Sequence, residues 1–410
     1  MKNLEEKRVG KAGGLRGLNR NIRIYLLTAL LINFGFGVFQ TDFNLYILSM
    51  GLTPDFLGLV LSLTPFAQAL AAIPIGFLTE KIGYKRSLIL VNLVVGLAYL
   101  LRVISGNPAL ILSASFLAGV MACGYFIIQL PFISHYAGEN RNTAYTINSI
   151  IFYTAMSIGA MAGGFLPDLL SRWMPDETLA FRSILTGFSV LIILGTIPLF
   201  FLDNDEPDKE RKISLSPYIT GIDTTTIKFA VIEVFIGLGL AFLIFFMNLI
   251  FINHYQSTLE SYGIMSALLI IPLVGMLLIG PSLAERYKNI PVILASRFLS
   301  FLFAFIVGFT MNPILGGAAY MLFRSTISLA QTLWFGFAVT VSTRRSRMAT
   351  SAWLEITFQI GLGIAALAGG KLVAANAYPI LGYIASGSML AAFFLTLIFF
   401  GRGAATRENN

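Results

Sequence analysis

Asp42, Glu233, Glu355 and Arg324 stand inside apolar runs of the chain. A charge near the centre of a lipid bilayer costs roughly 2.5–3.5 kcal/mol on insertion scales, so each is a candidate for function. A carboxyl isolated from partners in a low-dielectric interior can load and unload a proton. Asp42 is the first candidate proton carrier, with Glu233 and Glu355 as alternatives. A static interaction of Asp42 with Arg324 or with nearby amides is the competing reading. Arg324 presents a planar fork suited to a carboxylate or another anion. It serves equally as counter-ion to Asp42 or to a buried glutamate, and Arg297 is a further counter-ion for one of the two glutamates.

Amides and aromatics at helical spacing mark faces that could hold a small molecule. Arg324, Ser328, Gln331 and Phe335 recur at i, i+4, i+7 and i+11, which places them on one side of a helix. Asn33, Gln40 and Asn44 form a second stripe with Gly37. Tyr125 and Gln129 form a third with Phe132, and Asn248 continues a stripe begun by Glu233 and Gly237. Asp42 lies about 180–200° around an ideal helix from the Asn33/Gln40/Asn44 stripe. Either the acid or the amides therefore face a common cavity. The neighbouring aromatics suit an amphipathic ligand, although packing is their commoner use in such runs.

The elements that must position these residues follow from composition. The 410 residues are 56% hydrophobic and 12% charged, against about 45–50% and 25% in soluble domains. The chain is an integral membrane protein. A span needs about 20 apolar residues, and lipid admits only structures that satisfy their own backbone groups. Such runs fall near 24–50, 55–79, 87–105, 108–136, 143–168 and 181–202, and again near 227–253, 261–283, 291–310, 313–341, 349–374 and 378–400. Twelve helices are expected. Residues 1–23 read as a tail, 24–202 and 227–400 as two six-helix bundles, 203–226 as a polar linker, and 401–410 as a second tail.

Lysine and arginine sit mostly at the tails, the linker and one set of loops. The other side has Arg102, Arg172, Arg182 and Lys371. By the positive-inside rule both termini are cytoplasmic and the protein is a multi-pass protein of the cell membrane. The net charge of +8 is then topological, and no basic, aromatic-interleaved soluble face exists to bind nucleic acid. One cysteine and two histidines leave little for a disulfide framework or a metal site. No phosphate-binding G-x-x-x-x-G-K-[ST] loop occurs, so ATP is not the energy source and no cofactor is expected.

Between the second and third runs lies Gly76-Phe77-Leu78-Thr79-Glu80-Lys81-Ile82-Gly83-Tyr84-Lys85-Arg86, with four charges in seven residues. A degraded copy, Pro281-Ser282-Leu283-Ala284-Glu285-Arg286-Tyr287-Lys288, follows 205 residues later. Arg141 to Gly164 aligns without gaps on Arg347 to Gly370 at an offset of 206, and Phe43-Asn44-Leu45 matches Met247-Asn248-Leu249 at 204. The halves repeat each other. The G-x-L-x-[DE]-[RK]-x-G-x-[RK] pattern resembles the signature loop of major facilitator superfamily transporters, nearest in pattern to the drug/proton antiporters, and the resemblance covers almost the whole chain.

That resemblance implies twelve helices in two pseudo-symmetric bundles, with a cavity between helices one, four, seven and ten. It implies a conformational latch in which Glu80, held by Lys81, Lys85 or Arg86, faces the start of helix eleven near Ala349-Thr350-Ser351 when the cytoplasmic gate is closed. Gly76 and Gly83 shape this loop, and Glu285 with Arg286 would make the mirror contact near Thr143. Pro281 and Lys288 replace both glycines in the second copy, so the first latch is expected to be the stronger. The implied function is secondary transport of a small molecule by alternating access, as proton-coupled export of an amphipathic or drug-like compound by a monomer in the lipid bilayer. A proton-coupled importer or a uniporter is the alternative, and a membrane-embedded enzyme or a transport-inactive sensor a remote one. Departures include Gly159-Ala160-Met161-Ala162-Gly163-Gly164 where antiporters ideally have G-P-x-x-G-G, and a helix four without arginine.

Overall fold

A computed structural model describes residues 17–174, 176–204, 218, 220–343 and 345–401, and these are helical with short turns. The expected tails before 17 and after 401, and linker residues 205–217 and 219, lie outside the described residues. The first half comprises α1 (Arg20–Ser49), α2 (Pro54–Ile82), α3 (Tyr84–Ile104), α4 (Pro108–Ala137), α5 (Arg141–Ser171) and α6 (Glu177–Leu194). The second comprises α7 (Thr224–Ile244, extended by turns to His254), α8 (Leu259–Leu268 and Ile270–Tyr287), α9 (Asn289–Phe309), α10 (Pro313–Val341), α11 (Arg347–Ala374) and α12 (Tyr378–Phe400). Among the described residues eleven helices are long and apolar enough to cross a membrane. The twelfth, α10, is 29 residues long and carries the polar face around Arg324.

Local sequence explains where the helices start. Side chains at N-cap positions accept from the first free backbone N–H groups. Asn19 and Asp223 cap α1 and α7, Thr53 and Thr258 cap α2 and α8, and Asn107 and Asn312 cap α4 and α10. The pairs stand 204 or 205 residues apart, so the internal repeat extends to the capping chemistry. Asp223 lies just outside its span. Partial burial opposes its charge, yet N–H and hydroxyl donors from Thr226, Ser346 and Thr225 outweigh this and hold the carboxyl below its usual range.

Twelve alternating crossings put both chain ends on one side, here called the terminal face, and the α1–α2 turn on the opposite far face. The halves meet closely at the far face. A Cβ on Gly58 of α2 would lie 2.8 Å from the Cα of Gly370 of α11, and one on Gly164 of α5 would lie 2.8 Å from the Cα of Gly263 of α8. Only glycine allows backbones to cross at that distance. Toward the terminal face the α5–α8 contact thins, whereas α2 and α11 pack along one another. The outer segment of α8 packs along α5, whereas its inner segment touches α5 only marginally. A Cβ on Gly76 would meet only Ile127 at 3.9 Å, and Gly275 and Gly336 have open space beside them.

The α2–α3 and α8–α9 turns have the same backbone shape. Gly83 ends α2 with φ 84° and ψ 169°, and Lys288 ends α8 with φ 68° and ψ 164°. That region is essentially reserved for glycine and costs another residue about 1–3 kcal/mol. The second copy keeps the geometry and bears the strain. Lys288→Gly is therefore expected to stabilise the protein by about 1 kcal/mol after glycine's own entropy cost. Thermal unfolding in detergent should show a raised Tm; an unchanged or lowered Tm would mean that the lysine turn is not strained.

Candidate functional site

The helix-one amides sit where α1 meets α7. Helix α7 breaks at Phe245 and Phe246, resumes for one turn and ends in a π-type turn over Ile250–His254. Such breaks leave carbonyls without their usual helical donors. Asn44 Nδ2 donates to the Phe245 carbonyl at 2.5 Å and to Asn248 Oδ1 at 3.0 Å, while Asn248 Nδ2 donates to the Thr41 carbonyl at 2.9 Å. Asn44 and Asn248 are repeat mates, and so are Thr41 and Phe245. The result is a two-fold amide clasp between the halves, with both asparagines buried.

Two adjoining cavities lie just inside the far-face crossings. The larger, about 350 Å³, is lined by Phe36, Phe39, Gln40, Phe43 and Asn44 of α1, with Gln68 of α2, Tyr99 and Arg102 of α3, Phe152 of α5, Phe245 and Gln359. The smaller, about 200 Å³, is lined by Tyr153, Ser157, Tyr262, Ser266, Tyr320 and Arg324 among others. Gln40, Phe152, Met156 and Ile244 belong to both walls. Gln40 and Asn44 thus face the cavity. Asp42 does not line it: its carboxyl is buried toward α5, where a Cβ on Gly163 would meet Oδ1 at 3.1 Å, and neither oxygen has a hydrogen-bond partner among the described residues.

Other expected residues divide between the cavity and the helix packing. Asn33 donates to the Tyr125 hydroxyl at 3.0 Å and to the Ala29 carbonyl at 2.7 Å, which joins α1 to α4 away from the cavity walls. Gln331 donates to both oxygens of Glu233 at 3.1 Å, and Gln359 donates to Glu355 at 2.8 Å. Gln129, Ser328 and Phe335 line neither cavity, and Phe335 is exposed. Arg324 lines the smaller cavity with Nη1 unpaired. Arg297 stacks on Trp334 at 4.2 Å and bonds the Thr396 hydroxyl. Among the described residues Arg324 makes no ion pair with Asp42 or a glutamate.

Arg102 is the residue that sequence reasoning misplaced. It stands three residues before the α3–α4 turn and read as a far-side topological charge. Instead it is 5% exposed, with its guanidinium 4.1 Å from the Tyr99 ring centroid and 4.4 Å from that of Phe43. The available signal was Tyr99 one turn before it, with Phe36, Phe39 and Phe43 at helical spacing on α1.

At the terminal face, Lys85 of the loop donates to the Leu202 carbonyl at 2.6 Å and to Asn204 at 3.1 Å, which ties the loop to the end of the first half. Lys81, Arg86, Glu285 and Arg286 are exposed, Glu80 is half-buried, and Gly83 forms the tight turn. At the start of α11, Thr350 is buried and bonded to Thr226 and Ser342, while Ser351 is exposed.

Comparison with known proteins agrees with this architecture. A nucleoside transporter, a mutant of NupG, superposes with a TM-score of 0.77 over 93% of this chain and 100% of its own, at 14% identity. A bacterial homologue of the human lysosomal transporter Spinster, inward-facing and unoccupied, gives 0.66 over 93% and 96%, at 15% identity. At such identities the likeness concerns the fold. Among curated proteins no relative matches the sequence. The family profile described as Major Facilitator Superfamily matches residues 25–348. With two six-helix halves closed over a cavity at one face, this chain belongs to the major facilitator superfamily.

Proposed function

We propose that the protein carries a small amphipathic molecule by alternating access, as proton-coupled export across the cell membrane, and that the clasped face is the extracellular gate. A superfamily member of this architecture is a secondary transporter of a small molecule rather than an enzyme. The observation that carries the finer reading is the reciprocal Asn44–Asn248 clasp above a cavity walled by aromatics and amides. Four polar groups that satisfy one another there must exchange those bonds for water or other partners when the face opens. Such a contact has two discrete states, as a gate requires. The terminal face, rich in lysine and arginine, is read as cytoplasmic.

We assign proton coupling at this gate to Asp42. It lies between Thr41 and Asn44, both members of the clasp, with no partner for either oxygen. An unpaired ionised carboxylate in that position is costly to keep buried. Ionisation therefore favours opening toward the far face, and a proton taken up there permits reclosure. On this reading Glu233 and Glu355, each held by a glutamine, are secondary in proton transfer. Glu80 and its basic neighbours would close the opposite face by meeting the exposed start of α11 near Ser351.

Three outcomes test these assignments. In a Cys123→Ala background, Asn44→Ala or Asn248→Ala should increase labelling from the far side of a cysteine placed at Gln40, and the double variant should gain little over either single one. Labelling equal to the parent would remove the clasp from the gate. Asp42→Asn should abolish pH-gradient-driven accumulation in vesicles while leaving binding and melting measurable; retained accumulation would rule Asp42 out as the carrier. Glu80→Gln should raise terminal-side labelling of the same cysteine, and no change would leave the loop a purely topological role.

A further inference from the structure

The walls of both cavities include two guanidinium groups, Arg102 and Arg324, and no aspartate or glutamate. Arginine keeps its charge in any protein environment, so burial cannot neutralise it. Arg102 is 5% exposed, its Nε has no hydrogen-bond partner, and no described acid lies within ion-pair distance. What surrounds it is aromatic: Tyr99 at 4.1 Å, Phe43 at 4.4 Å and Phe39 at 5.7 Å from the ring centroids. Ring faces attract the cation without neutralising it. The guanidinium lines the larger cavity, held among these rings, with no described acid beside it to balance its charge.

We propose that Arg102 and its aromatic surround form an oxyanion subsite, and that the molecule carried is an amphipathic organic anion with an aromatic or similarly flat apolar body. The inference rests on the transport reading above and names its substrate class. A carboxylate or comparable oxyanion supplies the missing charge through the planar, two-point bonding that a guanidinium offers. The apolar body lies against Phe36, Phe43, Phe152 and Phe245, which line the same cavity. Gln40 and Gln68 supply amide bonds along that wall. Arg324 sits beyond the shared wall at Gln40 and deepens the positive potential. Cationic amphiphiles, the other common cargo of an aromatic cavity, meet two like charges and no carboxylate here.

The test compares anions with their neutral isosteres. Full-length protein in detergent is melted with benzoate, 1-naphthoate, 2-naphthoate and indole-3-acetate, each beside its carboxamide at matched concentration. At least one acid should raise the Tm more than its carboxamide. Arg102→Gln should weaken that acid's apparent affinity at least about tenfold, as loss of one partner of a buried charge pair does, and Arg102→Lys should retain part of the preference. A merely packing arginine would give no difference between acid and carboxamide in the native protein. The proposal is overturned if no acid exceeds its carboxamide, or if a folded Arg102→Gln protein responds like the parent. Vesicle flux separates the two readings. Acids that bind and are not moved overturn the transport reading alone, whereas movement of a neutral or cationic compound undiminished by Arg102→Gln overturns the anion subsite alone.

Discussion

A primary amide buried in a hydrocarbon-like interior must find partners or bear a desolvation penalty of a few kcal/mol. Asn44 and Asn248 meet that constraint through each other and through carbonyls of the opposite half. The break in α7 frees the Phe245 carbonyl for Asn44, and the repeat-related Thr41 carbonyl takes the bond from Asn248. Neither half satisfies these groups alone. The clasp therefore fixes where the two bundles touch, and the glycine crossings Gly58–Gly370 and Gly164–Gly263 seal the same face on either side of it. The cavities lie immediately beneath, where α5 and α8 part from that line of contact toward the terminal face.

Polar chemistry is distributed around the clasp in an order that follows from this geometry. Asp42 shares the clasp segment yet points into the α1–α5 packing, away from the cavity walls. Glu233 and Glu355 are each engaged by a neighbouring glutamine and lie outside the cavity walls. The walls themselves carry cations and amides. Clasp and cavity share Asn44 and Phe245, and α1 carries Asn44, Asp42 and part of the cavity wall.

Much of the fold was legible in the sequence because hydrocarbon imposes a simple rule of length and apolarity. The spans at 313–341 and 378–400 agree with the observed helices to the residue, and the others shift by a few residues where caps such as Asn19 and Asp176 start helices in polar sequence. The site was legible in part. Gln40, Asn44 and Arg324 reach the cavity as their spacing indicated, but Asn33 and Gln331 are occupied by Tyr125 and Glu233, contacts between helices that spacing does not rank. Asn248 was visible as the mate of Asn44, although no one-dimensional pattern says that the two bond to each other. Arg102 was misread because its position near a helix end is where arginines usually reach for water. The depth of its aromatic surround depends on how α1 leans on α3.

The central claim is that the far face closes and opens as a unit about the clasp. Its most direct test is a pulsed electron resonance distance between spin labels at Ile104 and Phe309, the exposed repeat-related ends of α3 and α9 at that face. In lipid, the account predicts two distances, a shorter one for the clasped state and a longer one for the open state, with their ratio changed by pH. A single distance that is indifferent to pH would contradict it.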